Sequence, residues 1–345
     1  MKWLGVPRES SLYHRSKSKL AASALMVAAA GTMVQARMNA ELVLITGNPL
    51  EVSLINLVVA AVVASVTVFC LPNLRESWFM MARAARQGEL RPWQMAGGAL
   101  GGYYLAIQGS AALAVGVAVF TVAVVAGQTG AALVVDWFGL SPVGHKTISL
   151  NRMLAAALAV GAVLVVATGQ MSLPQNSFPA LPVILLLAAS AGCASALQQA
   201  VSGHVAAISG RGMTAAWVNF VGGAVVMAIV VAMFGLGAGV EVAALPPDSW
   251  WLCVAGIFGL VYIATVSWVV RLAGVLVGSL MTLIGLLIGA VLLDFLAPTR
   301  GSSVTWQLLI GVALTAVAVW LSSIESLAER LAGTKRRKSS PDGEE

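Results

Sequence analysis

The stretch GAALVVDWFGL, residues 130–140, ends a long apolar run with an acid, Asp136. The stretch GAVLLDFLAP, residues 289–298, puts Asp294 at the end of a second such run. An aspartate among so many apolar residues is costly, so one occurrence needs a reason and two indicate a repeat. We therefore expect the chain to contain two related halves, and the apolar runs that carry the two aspartates to decide its fold.

The composition excludes a water-soluble domain. Of the 345 residues, 59% are hydrophobic and 10% are charged, whereas a soluble domain carries about 25% charged residues. So much apolar surface cannot be buried inside a globule of this length, and the 35 glycines suit the close helix packing of membrane proteins. We predict an all-α integral membrane protein. The three cysteines, Cys70, Cys193 and Cys253, have neither disulfide nor metal-ligand spacing, so no cofactor or metal is expected.

Ten apolar runs each have roughly the 20 residues that an α-helix needs to cross a bilayer. They cover residues 20–40, 50–71, 92–110, 113–134, 151–169, 181–203, 213–236, 249–268, 273–294 and 305–324. A basic tail, residues 1–19, precedes them, and a polar tail, residues 326–345, follows them. The first run has an alternative interpretation as a secretory signal, since Lys17 and Lys19 precede small and apolar residues, but the repeat argues against it.

The basic residues predict the orientation. If all ten runs span the membrane, 18 of the 20 Lys and Arg residues fall on the side of the N-terminus, and only Arg37 and Arg300 fall on the other side. Because basic loops stay in the cytoplasm, both termini of this multi-pass inner-membrane protein are expected there. The basic residues lie in short loops and tails, so no nucleic-acid partner is expected.

The two halves align at fixed offsets. At 158 residues, Asp136 falls on Asp294, and several glycines and aromatic residues fall on their own kind. At 163 residues, the beginnings of the halves align, and we attribute the change of offset to a longer loop after the second run. The halves are residues 20–170 and 171–325, with five runs each. Since five is odd, the second half is predicted to be inverted in the membrane, as in many secondary transporters.

A tryptophan-led glycine-rich segment, a Gly-Gln element and an apolar run ending in Asp before Phe-Gly-Leu follow one another between residues 91 and 140. The residues are Trp93, Gly98, Gly101, Gly127, Gln128, Asp136, Phe138 and Gly139. This pattern resembles the YdcZ-type family of the drug/metabolite transporter superfamily. Typical members look like one five-helix unit, so the resemblance implies a fused and diverged pair. It also implies transport of a small solute, in most members export.

Uncharged polar side chains are the candidates for the solute pathway. The amides of Gln35, Asn39 and Asn56 are expected in the outer half of the membrane, and those of Gln198 and Asn219 in the inner half. The candidates are Gln35, Asn39, Asn56, Gln128, Gln198, Asn219, Tyr104 and Tyr262. Each amide has an alternative role as a hydrogen-bonding link between helices, and each tyrosine as an anchor at the membrane surface. We expect Gln128 to contact the solute, because glycines at 127 and 130 leave room beside it.

Both aspartates are expected near water at the C-terminal end of a helix, where the helix dipole disfavours an anion. Each should therefore have a partner. The candidates are His145, Lys146 or Arg152 for Asp136, and Arg300 for Asp294. Three roles stay open for the pair: tying down a loop, forming a gate that breaks during transport, and coupling transport to protons.

These patterns predict a non-enzymatic secondary transporter that exports a small metabolite or drug-like solute by alternating access. Its partners are the lipid bilayer and the solute, and a homodimer is one option for its assembly. By the resemblance, the fifth and tenth helices brace the core or pair protomers. A non-transporting membrane scaffold stays open. So does a membrane-embedded lipid-modifying enzyme, which would need a cluster of acids, histidines or a metal site, whereas the three histidines are scattered.

Overall fold

The computed structural model describes residues 9–88, 97–140, 149–171, 181–238, 246–273, 275–298 and 305–321. These residues are helical almost throughout and include no β-strand. The helices are α1 (Glu9–Thr46), α2 (Pro49–Cys70), α3 (Pro72–Arg86), α4 (Gly97–Val115), α5 (Val117–Trp137), α6 (Leu150–Met171), α7 (Leu181–Ser209), α8 (Gly212–Ala238), α9 (Ala255–Ala273), α10 (Val275–Leu296) and α11 (Trp306–Leu321). A 3-10 helix, Pro247–Val254, leads into α9.

Six helical segments of the described chain are long and apolar enough to cross a membrane. They are Pro49–Cys70, Val117–Trp137, Leu150–Gly169, Leu181–Ser209, Gly212–Phe234 and Pro247–Val266. Two shorter segments, Met281–Leu296 and Trp306–Leu321, are also apolar. The all-helical membrane class predicted from the sequence is therefore confirmed at this level.

Two elements differ from the expectation. α1 begins at Glu9, so part of the predicted basic tail continues the first helix. The link after the second run, expected to be a loop, contains α3. It forms a helix because Ser77, Met81 and Ala84 make a narrow buried stripe on one face, while arginines occupy the opposite side.

Helices of the two halves pack mainly on each other. α1 packs against α9 and α10, and its counterpart α7 packs against α4 and α5, which are the counterparts of α9 and α10. α2 packs against its own counterpart, α8. These pairings are unchanged when the two halves are exchanged.

Close helix contacts at glycine residues also occur in equivalent pairs, one in each half of the chain. Gly98 lies so near the backbone of Asn219 that a Cβ would overlap the Asn219 carbonyl oxygen. Its counterpart Gly256 lies in the same way on the carbonyl of Asn56, the counterpart of Asn219. Two further contacts are doubled: Gly101 with Gln198 is matched by Gly259 with Gln35, and Gly127 with Ala189 is matched by Gly285 with Met26. Gly98, Gly256, Gly127 and Gly285 meet the backbone of the other half, so a side chain there would overlap it. Gly101 and Gly259 meet the glutamine side chains.

The last helices of the two halves also meet. A Cβ on Gly311 of α11 would overlap the side chain of Val166 on α6, and Gly169 of α6 lies against Gln307. Ala155 and Ala159 of α6 pack with Ala318 of α11 and with α5. α6 and α11 thus pack along each other.

Candidate functional site

Four buried amide side chains form one hydrogen-bonded chain in the first half. The Gln35 Nε2 group donates to the Asn56 Oδ1 atom at 3.1 Å, and the Asn56 Nδ2 group donates to the Asn39 Oδ1 atom at 2.7 Å. The Asn39 Nδ2 group donates to the Gln108 Oε1 atom at 3.0 Å. All four side chains are at most 4% exposed. We call this set, Gln35, Asn56, Asn39 and Gln108, the amide network.

The amide network joins three helices. Gln35 and Asn39 are four residues apart and therefore lie on one face of α1, where they meet Asn56 of α2 and Gln108 of α4. The Asn56 amide also donates to its own helix, at 2.9 Å from the Val52 carbonyl oxygen. Burying an amide is costly unless it is hydrogen-bonded, so this closed chain of partners holds α1, α2 and α4 in one arrangement.

The second half has no closed counterpart of the amide network. Gln198 and Asn219 align with Gln35 and Asn56, but Ser202 replaces Asn39, and a valine, Val266, stands at the position of Gln108. Asn219 is 6% exposed, and its Oδ1 atom has no hydrogen-bond partner among the described residues. Gln198 is partly exposed and lies against Gly101 of α4. The aligned amides of this half thus form no such network within the described residues.

Two aligned tyrosines lie between the halves. Tyr104 and Tyr262 are within electrostatic range of each other; the first lies near Gln108 of the amide network and the second near Thr282. Both side chains are partly exposed, and the Tyr104 ring packs on Phe120 with its centroid at 6.0 Å. The neighbouring Tyr103, which sequence reasoning did not single out, places its hydroxyl 2.8 Å from the Ser190 hydroxyl of α7.

Gln128 lies on α5, where the helix meets α7. The flanking Gly127 packs directly on the Ala189 backbone, whereas open space surrounds the Cα of Gly130. Gln128 itself is partly exposed. Gly127 therefore leaves no free space next to Gln128, contrary to the expectation, because it is in contact with the backbone of α7. Gly130 is two residues from Gln128 and faces another side of α5, so the solute contact of Gln128 stays a prediction.

Asp294 is buried and bound by the start of another helix. Its Oδ1 atom accepts from the Val117 amide at 3.1 Å, and its Oδ2 atom accepts from the Ala118 amide at 2.8 Å. α5 begins after Gly116, which has φ of +89° and no side chain to cap the helix. The carboxylate supplies that cap from α10, and the dipole of α5 favours its charge. We call this contact the Asp294 cap.

The Asp294 cap corrects one expectation. Asp294 was expected near water, but it is 4% exposed. The reason is that the unfavourable end of its own helix is offset by the favourable end of α5. Arg37 lies close by, since its Nε group donates to the Ala297 carbonyl at 3.0 Å, but it forms its ion pair with Glu41. The expected partner, Arg300, lies outside the described residues. The aligned Gly-Val pairs at 116–117 and 274–275 were the signal in the sequence that could have suggested this cap.

Asp136 makes a different contact. Its Oδ2 atom lies 2.6 Å from the Arg152 Nη2 atom of α6, and its side chain is 18% exposed. The expected pairing with Arg152 is therefore confirmed. The position aligned with Val117, at the start of α10, is Val275. Two aligned aspartates thus have unlike partners, one the N-terminus of a helix and the other an arginine.

Within the described residues, no three His, Cys, Asp or Glu side chains come together as metal ligands. His204 contacts the end of α5, with its Nε2 atom 3.0 Å from the Leu140 carbonyl oxygen. The only charged side chains among the buried described residues are Glu51 and Asp294, both near helix ends. The candidate site is therefore an uncharged polar region with charge confined to its margins.

Comparison with known proteins agrees with this picture. No curated protein matches the chain. One family profile, described as "Putative inner membrane exporter, YdcZ", matches residues 20–165 and 183–321. The two matched segments cover most of the chain, and each lies within one of the halves deduced from the repeated aspartates. The chain thus belongs to the YdcZ family of inner membrane exporters.

Proposed function

We propose that this protein is a secondary transporter that exports a small metabolite or drug-like solute across the cytoplasmic membrane by alternating access. The proposal is carried by the helix contacts, which stay the same when the two halves are exchanged. The two aspartates are the exception, because their partners differ. The doubled glycine contacts support two halves related by a pseudo-two-fold axis. With five spanning helices in each half, that axis lies in the membrane plane and relates two packings of similar energy, one open to each side.

The described conformation is closed on the side that we assign to the outside. The amide network and the Asp294 cap both lie on that side and hold α1, α2, α4, α5 and α10 together. On the inner side, the Asn219 Oδ1 atom is unpaired within the described chain, and Asp136 is occupied by Arg152. We therefore interpret this state as the inward-facing state.

The outward-facing state follows by exchange. Asp136 leaves Arg152 and caps the start of α10, while Asp294 releases the start of α5 and turns to Arg37, which donates to the carbonyl of Ala297, three residues after Asp294. Each state has one carboxylate on a helix N-terminus and the other on an arginine. Neither aspartate is then left without a partner, which would be very costly for a buried carboxylate. The exchange releases Arg152, and Glu41, which is paired with Arg37 in the described state, then shares that arginine with Asp294.

The solute would bind where unpaired polar atoms and tyrosines meet between the halves. Gln128, Gln198 and Asn219 offer amide groups, and Tyr104 and Tyr262 offer ring faces near the pseudo-two-fold axis. The buried part of the described core has no charged group away from helix ends, which favours an uncharged or weakly charged solute. The unpaired Asn219 oxygen calls for a solute with a hydrogen-bond donor.

The first experiment is thermal unfolding of the detergent-solubilised protein against a panel of neutral and amine metabolites and drugs. A solute at about 100 times its Kd should stabilise the folded state by about 2.7 kcal/mol. Gln128→Ala should abolish the shift. Thr129→Val is the matched control, because the Thr129 hydroxyl already bonds to the Val125 carbonyl of its own helix at 2.6 Å.

The same solute should then cross the membrane of proteoliposomes that contain the protein, and Gln128→Ala should slow its flux. A panel without any stabilising solute, together with vesicles that show no flux for any of them, would count against transport and favour the scaffold interpretation. Loss of the shift in Thr129→Val as well would mean that Gln128 acts through helix packing instead of solute contact.

A further inference from the structure

α3 is unlike the other helices of the described chain because it is short, strongly amphipathic and basic. Ser77, Met81 and Ala84 are buried against Val205 of α7 and against Ala215 and Val218 of α8. The opposite face carries three exposed arginines, at positions 75, 83 and 86, and the exposed Phe79. The helix is thus fixed to the bundle by one face and presents a face of arginines around an aromatic ring.

An aromatic cluster marks the level of α3. The Trp78 ring lies 5.9 Å from Phe69, 5.1 Å from Phe79 and 6.3 Å from Trp217, measured between centroids. The Trp217 Nε1 group donates to the Ser65 hydroxyl at 2.8 Å. Phe69 and Phe79 are 45% and 56% exposed. Clusters of aromatic rings with one apolar and one polar side are typical of the membrane–water interface.

The equivalent link in the second half has the opposite charge. Between α8 and α9, residues 239–254 include Glu241 and Asp248 and no Lys or Arg. The link that contains α3, residues 71–96, has four arginines and two glutamates. An inverted repeat puts the two links on opposite faces of the membrane, so the basic link meets one leaflet and the acidic link the other.

We propose that α3 is a binding surface for anionic phospholipid headgroups of the cytoplasmic leaflet. Phe79 and the 51% exposed Met80 insert at the boundary of headgroups and acyl chains, and Arg75, Arg83 and Arg86 bind the phosphates. The partner follows from charge complementarity, because the cytoplasmic leaflet carries the negative surface charge. The assignment to that leaflet depends on the proposed orientation, whereas lipid binding itself does not depend on transport.

The test uses the full-length protein in nanodiscs or mixed micelles, with lipid binding followed by native mass spectrometry. Phosphatidylglycerol should bind in preference to phosphatidylcholine. Arg83→Gln should weaken phosphatidylglycerol binding roughly fivefold, and the combined change at 75, 83 and 86 should remove the preference, since each arginine near an anionic surface contributes a similar amount. Arg211→Gln is the matched control, because Arg211 lies on the same predicted side in the turn between α7 and α8.

Two further variants separate the contributions. The triple Arg→Lys protein should keep the preference, because the surface charge is unchanged, and Phe79→Ala should weaken both lipids alike. A triple Arg→Gln protein that unfolds at the wild-type temperature and keeps its preference would refute the proposal. So would a wild-type protein without any preference; an acidic peptide that binds α3 in that case would identify a protein partner instead.

The leaflet is tested separately. Cys70 is exposed at the end of α2, next to α3. In a variant with Ser at positions 193 and 253, a membrane-impermeant maleimide should label Cys70 in inside-out vesicles and not in spheroplasts. Labelling in spheroplasts would overturn the orientation while leaving the lipid measurement intact. A failed transport assay would not contradict the lipid-binding preference or the labelling of Cys70. The transport proposal and the lipid-binding proposal can therefore be refuted independently.

Discussion

The Asp294 cap is the contact whose loss should move the protein most towards the opposite state. In Asp294→Asn the amide oxygen still accepts one hydrogen bond, but the amide NH2 group points at the second N–H of α5. Hydrogen bonds to a charged acceptor contribute about 1.5–3 kcal/mol each, and neutral ones about 1 kcal/mol. Two charged bonds are thus replaced by one neutral bond, so the state with the cap should lose about 2 kcal/mol or more, a change of roughly 30-fold or more in the ratio of the two states.

Hydrogen exchange at the start of α5 measures this loss. The Val117 and Ala118 amides are the two donors to Asp294, so their peptide reports the cap directly. We expect exchange there to accelerate roughly 30-fold or more in Asp294→Asn, provided that it proceeds through opening of the cap. Asp136→Asn is the matched control. In the described state Asp136 is paired with Arg152, and in the proposed outward-facing state it caps α10. Asp136→Asn should therefore weaken the outward-facing state and slow exchange at Val117, the opposite of the effect of Asp294→Asn.

Two results would refute this reasoning. Unchanged exchange at the start of α5 in folded Asp294→Asn protein would mean that the carboxylate contributes nothing to the closed side. Equal acceleration in every helix would mean that the variant lowers global stability and does not shift a conformational equilibrium. Acceleration confined to the start of α5 and to the peptides of the amide network would support a gate on one side of the bundle.

Three further predictions test the packing and the amide network. Gly98→Ala should lower the unfolding temperature or prevent folding, because its Cβ would overlap a backbone carbonyl, whereas Gly130→Ala should be tolerated; thermal unfolding of the pair decides. Asn56→Ala removes the acceptor of the Gln35 Nε2 group and the donor to the Asn39 Oδ1 atom and should cost about 2–4 kcal/mol, measurable by denaturant titration against the wild type. Ser202→Asn combined with Val266→Gln should rebuild an amide network in the second half and so stabilise the outward-facing state. Hydrogen exchange at Val117 should then be faster. Unchanged exchange, or equally fast exchange in the control with Ser202→Ala and Val266→Leu, would contradict this.

The helices could be predicted from the sequence because each apolar run carries its own signal in length and composition. α3 could not, since 15 residues are too few for a membrane span, and its buried stripe has meaning only against the ends of α7 and α8. The identity of the polar residues in the amide network was readable as well. The hydrogen bonds that join these residues could not be predicted, because Asn39 and Gln108 are 69 residues apart and nothing in the local sequence indicates that they pair.

The two aspartates show more clearly which contacts the sequence could predict and which it could not. The sequence aligns them and suggests like environments, and for Asp136 a partner 16 residues away could be proposed correctly. For Asp294 the partner is 177 residues away and is a backbone amide, which has no side-chain signature. Only the buried Gly116, which separates α4 from α5, marks a helix start that lacks a side chain of its own for the cap. Gly274 stands at the aligned position before α10.

The sequence differences between the two halves affect the relative energies of the inward- and outward-facing states of such a transporter. Two identical halves would make the inward- and outward-facing states equal in energy, and the solute alone would decide between them. Here the closed amide network exists in one half, while Ser202 and Val266 remove its counterpart in the other. Interhelical hydrogen bonds of this kind contribute about 0.6–2 kcal/mol each, so losing even two on one side biases the resting population by roughly tenfold or more. In the proposed mechanism this bias keeps the outer side closed until a solute engages the unpaired amides of the inner side. A preference for loading from the cytoplasm, and hence for export, would then follow from amide groups that one half kept and the other lost.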